Sequence, residues 1–315
     1  MTSIEMTGID TSRPVLIQEV APRDGFQIEQ RWIETRDKID FINRLSRTGI
    51  RKIEVSSFVS PKAVPNLRDA AELFQNIERH SGVTYAALVP NRRGAENAMR
   101  AQVDEMNFVL SVSETHNRAN MNMSNDASMA EFEAIASMAA GGGIRLTGTI
   151  ATAFGCPFEG EQSPARVLDI AGAYLSAGAA GVTFADTTGM ANPLQITALC
   201  TAFKQRYPDV PLTLHLHNTR GLGIANCLAG YMAGVDRFDA ALGGLGGCPF
   251  APGATGNVCT EDLVHMWTLM GVETDIDLYA LLEMSRDLPA LVGHSLPGQV
   301  VQAGPSWHLH NKPER

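Results

Sequence analysis

Eight short runs of β-branched and apolar residues recur along the 315-residue chain, separated by longer segments whose apolar residues repeat with helical period. Parallel strands need a crossover between them, so this alternation points to an α/β chain of repeated βα units around a parallel sheet. The runs are Val15 to Val20, Lys52 to Ser56, Thr84 to Leu88, Glu105 to Leu110, Arg145 to Ala151, Gly181 to Ala185, Pro211 to Leu216 and Arg237 to Ala240. Between them, sets such as Ile39, Ile42 and Leu45, or Leu168, Ala171 and Leu175, form one apolar stripe of a helix. Eight units over about 250 residues predict a (β/α)8 TIM barrel. A doubly wound sheet has fewer strands and a Gly-rich first turn, and no G-x-G-x-x-G follows the first run. The barrel is predicted over 15–274, after a flexible leader at 1–14 and before a small C-terminal helical appendage and tail, 275–315, packed on it.

The chain's chemistry is bounded by charge and cysteine usage. A formal net charge of -9 argues against nucleic acid or an anionic membrane as partner, because both need a basic face. Five cysteines, at 156, 200, 227, 248 and 259, include no C-x-x-C pair. That count favours a reducing, cytoplasmic setting over a disulfide framework. Met1 to Pro14 lacks both a signal-peptide h-region and an Arg-rich amphipathic pattern. No apolar run reaches the roughly 20 residues of a membrane span.

Active sites of such barrels lie at the C-terminal ends of the strands. Arg23-Asp24-Gly25 follows the first strand, and reads either as a cation–carboxylate pair at the mouth or as a solvated turn with a capping Asp. His215-Leu216-His217 ends the seventh strand; alternation along a strand points both imidazoles the same way, which makes half a metal site. Asp24 adds a hard oxygen. Such a mixed set suits Mg2+ or Mn2+, with Zn2+ also possible.

Glu54 sits inside an apolar strand and needs a partner, with Arg23 or a metal ligand as candidates. Asp186 ends the sixth strand and serves equally as an acid or as a cap for the next helix. Glu261 opens the last barrel helix, where the dipole favours negative charge with or without a catalytic role. The Gly243 to Asn257 segment is too rich in glycine to pack as a core element, and reads as a mobile loop at the mouth carrying Cys248. Asn257 at its far end can bring an amide oxygen to the metal. Cys156-Pro157-Phe158-Glu159-Gly160 is a second Cys-Pro element on the same face, lining the pocket or forming a plain loop.

Taken together, Glu19-Val20-Ala21-Pro22-Arg23-Asp24-Gly25-Phe26-Gln27, Ile53 to Lys62, Gly155 to Gly160, His215-Leu216-His217 and Gly244 to Asn257 with Thr260-Glu261-Asp262 resemble the 3-hydroxy-3-methylglutaryl-CoA (HMG-CoA) lyases. These belong with the isopropylmalate synthases among the TIM-barrel metallolyases. The resemblance runs from about Val15 to Gly271. It implies a metal held by Asp24, His215, His217 and Asn257, and catalytic parts for Arg23, Cys248, Glu54, Asp186, Glu261 and His215. Gln27 and Asn91 would contact the CoA thioester. Further implications are retro-Claisen cleavage to acetyl-CoA and acetoacetate, a place in leucine degradation or ketone-body formation, and a homo-oligomer.

The synthase branch carries Glu-Arg where this chain has Cys248-Pro249, which favours a lyase over a condensing member. Three departures bear on the acyl group. The loop reads Ala241-Leu242-Gly243-Gly244 where the lyases have Ser-Val-Ala-Gly. Asn218-Thr219-Arg220 replaces Asp-Thr-Tyr, and Gly293 to Gln299 stands where a basic CoA-gripping loop is common. A citramalyl-CoA or other 3-hydroxy-3-alkyl thioester is the alternative substrate, and a barrel that binds metal without catalysis is the alternative class.

Overall fold

A computed structural model describes residues 10–247 and 256–309. Eight parallel strands close into a barrel: β1 (Leu16–Glu19), β2 (Lys52–Ser57), β3 (Thr84–Leu88), β4 (Glu105–Ser111), β5 (Arg145–Ala151), β6 (Val182–Asp186), β7 (Leu212–Leu216) and β8 (Arg237–Ala240). Each pairs with its neighbours in sequence, and β1 closes on β8. Every predicted strand is present, with ends displaced by no more than a residue or so. The (β/α)8 prediction therefore holds.

The core has two layers, one inside the barrel and one between the strands and the outer helices. In the outer layer, Phe108 on β4, Phe132 on α5 (Asn125–Gly142) and Tyr174 on α6 (Pro164–Ser176) interlock with ring centroids 4.2 to 6.5 Å apart. Each aromatic of this kind stabilises the fold by roughly 2–3 kcal/mol through burial. Gly148 on β5 makes the cluster possible, since a Cβ there would lie 2.2 Å from the Tyr174 ring.

The last barrel helix, α9 (Thr260–Leu269), buries Trp267 against Tyr231 and Phe238. Beyond it, α10 (Leu278–Val292) packs on α9 and on α1 (Thr35–Leu45), and the short α11 (Val300–Ala303) follows. Asp277 caps α10 by accepting from the Tyr279 and Ala280 N–H groups, while its own N–H donates to the Thr48 carbonyl. The segment is thereby tied to the loop that leads into β2. Among the described residues no helix is long and apolar enough to cross a membrane.

Two local features depart from the sequence reading. The run after β5 contains a short antiparallel pair, Gly155–Cys156 with Gly160–Glu161, rather than an open loop. The segment after β1 is a π-helical turn, Ala21–Gly25, in which the N–H groups of Arg23, Asp24 and Gly25 all converge on the Val20 carbonyl. Such turns are uncommon and concentrate at functional sites. This one places two consecutive side chains, Arg23 and Asp24, in the same polar cluster at the barrel mouth.

Candidate active site

His215 lies near the end of β7 and His217 just beyond it, with their Nε2 atoms 3.1 Å apart. Asp24 Oδ2 is 3.8 Å from His217 Nε2. One ligand atom from each of Asp24, His215 and His217 can be chosen such that all lie within 4.8 Å of one another, and all three residues are buried. Asn257 reaches the cluster because the chain after the glycine-rich loop pairs beside the end of β7: Val258 N–H donates to Leu216 O, and Asn218 N–H to Gly256 O. Its Nδ2 donates to Asp24 Oδ2 at 2.7 Å and to Leu245 O at 3.0 Å.

Two buried atoms of this cluster, Asn257 Oδ1 and His217 Nδ1, have no hydrogen-bond partner among the described residues. Buried polar atoms are rarely left so, and an acceptor oxygen and an imidazole nitrogen are what a cation would engage. Space is reserved as well: a Cβ on Gly246, where φ is +104°, would lie 2.4 Å from Asn257 Nδ2 and 3.0 Å from Asp24 Oδ2. The residues present therefore fit a divalent cation.

Arg23 is bound on two sides, with Nε donating to Glu54 Oε2 and Nη1 to Asp24 Oδ1, each at 2.5 Å. Glu54 Oε1 in turn accepts from Asn107 Nδ2 on β4, and Asn107 Oδ1 from Thr149 Oγ1 on β5. The guanidinium is thus oriented by a chain that crosses the barrel interior. Gln27 Nε2 donates to Asp24 Oδ1 at 2.8 Å, so Gln27 contacts the carboxylate of the cluster. The buried carboxylates Asp24, Glu54 and Asp239 against the single Arg23 guanidinium give three formal negative charges to one positive, an imbalance of the size a divalent cation offsets.

Burial opposes ionisation of Asp24, but Arg23 and the two histidines outweigh it and bring its pKa down to about 2. Burial, then the neighbouring His215, lowers His217 to about 4. His215 goes the other way: burial favours its neutral form, yet the hydrogen bond and charge of Asp239, with Asp24 beside it, raise its pKa. The pair is therefore electrically uneven. Asp239 is absent from the sequence-derived candidates, although strand parity sets Arg237 and Asp239 on the face opposite Phe238 and Ala240. That parity was the available signal.

Other candidates lie elsewhere on the same face. Asp186, at the end of β6, accepts from the N–H groups of Met190 and Ala191, and burial lifts its pKa to about 6. Glu261 accepts from Gly243 N–H at 3.0 Å and from Ser285 Oγ at 2.5 Å. Asn91, after β3, caps α3 (Arg92–Arg100) by accepting from Gly94 N–H. None of these three is within the cation cluster. Cys156 is buried and its thiol donates to Ser113 Oγ at 3.0 Å. Cys248 lies outside the described residues.

The HMGL-like family model matches residues 14–288. Hydroxymethylglutaryl-CoA lyase YngG of Bacillus subtilis is 42% identical over 290 residues, covering 92% of this chain and 97% of that protein. (R)-citramalyl-CoA lyase of Chloroflexus aurantiacus is 44% identical over 303 residues, covering 93% of this chain and 96% of that protein. The structure of an HMG-CoA lyase from Acenitobacter baumannii in complex with coenzyme A and 3-methylmalate superposes with a TM-score of 0.93 at 52% identity, covering 98% of this chain and 100% of that one.

Proposed function

This chain belongs to the HMGL-like family and is a carbon–carbon lyase, and on that premise we propose that it cleaves HMG-CoA to acetyl-CoA and acetoacetate with a divalent cation at Asp24, His215, His217 and Asn257. The observation that carries the reading is the buried Asp24–His215–His217 cluster at the strand ends, with unengaged atoms of Asn257 and His217 beside it. Mg2+ or Mn2+ suits this oxygen-and-nitrogen donor set, with Zn2+ as the alternative. When bound, such a cation supplies Lewis acidity, lowering the pKa of the substrate's tertiary hydroxyl.

The protein's own residues do the rest. A base takes the C3 hydroxyl proton, the C2–C3 bond breaks, and C3 becomes the ketone carbon of the keto acid. The bonding pair passes to C2 and into the thioester as an enolate. Asp24 and His215 are the candidate bases. His215 Nδ1 is occupied by Asp239, so a proton accepted at Nε2 excludes that nitrogen as a ligand. Arg23, held by Glu54 and Asp24, places a fixed positive charge where the enolate forms, a contribution that needs no reorganisation during reaction. Cys248 is the proposed donor of the proton that completes acetyl-CoA. Glu54 orients Arg23, while Asp186 and Glu261 shape the loops around the site. Gln27 and Asn91 are the proposed contacts to the thioester.

A second reading, cleavage of citramalyl-CoA or a related 3-hydroxyacyl thioester, is favoured by the Chloroflexus relative and by the 3-methylmalate complex of the Acenitobacter protein. We further propose a cytoplasmic homo-oligomer acting in leucine degradation or ketone-body formation. The deciding experiment incubates the protein with Mn2+ or Mg2+ and a panel of 3-hydroxyacyl-CoA thioesters while following acetyl-CoA. HMG-CoA is expected to give the highest kcat/KM, and preference for citramalyl-CoA would establish the second reading. Cys248→Ala should cut turnover by orders of magnitude with bound metal retained; near-normal turnover removes that role.

A further inference from the structure

We propose that Asp239 is the positioning residue for His215, fixing its imidazole as the Nδ1–H tautomer so that the Nε2 lone pair faces the cation site. The inference rests on the reading that Asp24, His215 and His217 hold a divalent cation. His215 and Asp239 are register partners on adjacent strands, β7 and β8. Their side chains meet at 3.1 Å, His215 Nδ1 to Asp239 Oδ2, and are 10% and 6% exposed. The other ring nitrogen faces His217 Nε2. With the proton on Nε2 instead, the Nδ1 lone pair would oppose the carboxylate and a buried hydrogen bond would be lost.

How Asp239 is engaged sets it apart from the other buried acids of this face. Glu19, Asp186 and Glu261 use both carboxylate oxygens to accept from backbone N–H or hydroxyl groups of the loops they hold. Among the described residues Asp239 Oδ1 has no hydrogen-bond partner, and Oδ2 engages His215. A carboxylate that organises no loop and bonds one imidazole fits orientation of a ligand, a role in which loss of the partner typically weakens metal binding about 10–100-fold.

The test uses the full chain, metal-free, with 15N-labelled histidine, alongside Asp239→Ala and Asp239→Asn. Imidazole 15N shifts report the tautomer, EPR of free Mn2+ reports affinity, and thermal melting reports folding. The wild type is expected to carry the His215 proton on Nδ1. Both variants are expected to lose that preference and to bind Mn2+ about 10–100-fold more weakly. A merely structural role would lower the melting temperature while leaving tautomer and Mn2+ affinity as in the wild type, and that result overturns the proposal. If Asp239→Ala does not fold, the near-isosteric Asn variant decides. Should the wild type bind no Mn2+, the cation reading fails, while the tautomer still judges the positioning role.

Discussion

Two groups of buried polar residues sit on the same face of this barrel and are engaged differently. In the Asp24–His215–His217–Asn257 cluster, oxygen and nitrogen atoms are buried without partners. A short way along the chain, Glu19 accepts from Ala21 N–H, Leu242 N–H and Thr260 Oγ1, and Glu261 from Gly243 N–H and Ser285 Oγ. The second group is saturated. It clamps the start of the glycine-rich segment to β1, α9 and α10, whereas the first has valences to spare. A buried polar cluster is open to a ligand when donor or acceptor atoms in it are left over, and serves as scaffold when the fold has used them.

The largest expected effect breaks the first group. His217→Ala or Asp24→Asn should abolish bound metal and lower turnover by about a thousand-fold or more, with the protein still folded; metal analysis beside the acetyl-CoA assay checks this. Normal metal content in both variants would dissolve the distinction between the groups.

The next effect falls on the second group and on stability. Glu261→Ala strands the Gly243 N–H and the Ser285 hydroxyl, and should cost about 2–4 kcal/mol in denaturant unfolding while Mn2+ affinity changes little. A loss of Mn2+ affinity as large as that of His217→Ala would mean that Glu261 belongs to the catalytic group.

A third test concerns pH. Burial lifts the Glu19 carboxyl to about 8, against an ordinary 4.5. Because the folded pKa is the higher, the folded state holds the extra proton, and the resulting stability is complete below about 4.5 and lost as pH rises through 8. Stability should therefore fall on the order of 3 kcal/mol between pH 5 and 9. Glu19→Gln should flatten that slope, as followed by melting temperature against pH. An unchanged slope would assign the dependence to another group.

The smallest effect lies outside both groups. Thr152, just past β5, is β-branched yet adopts φ of +54°. Such a residue is strained by roughly 1 kcal/mol, so Thr152→Gly should move the melting temperature by only a few degrees in either direction, the relieved strain being offset by the lost Oγ1 bond to Ala151 O.

Much of this was legible beforehand. The strands follow from alternation of apolar runs, and the histidine pair from parity on β7, because both are local periodicities that backbone geometry imposes. Glu54 could be read as an acid in need of a partner, and Arg23 meets it. Asp239 is not legible in the sequence because its significance depends on which strand lies beside it; the Arg23–Asp24–Gly25 turn is legible, but not its π geometry, which leaves no distinct composition. Asp186, Asn91 and Glu261 look alike in sequence as polar residues at strand or helix ends; Asp186 and Asn91 accept from N–H groups a few residues on, whereas Glu261 accepts from Gly243 and Ser285, remote in the chain.

The sequence by itself determined the eightfold α/β architecture and pointed to the face and most of the side chains of the proposed cation site, since period and strand-end position are properties of short segments. Only the tertiary structure decided which buried polar atoms have partners among the described residues and which do not. Closing the barrel brings His215 to Asp239, Asn257 to Asp24 and Glu261 to Ser285, and each pairing is fixed by register and packing between segments that no local pattern links.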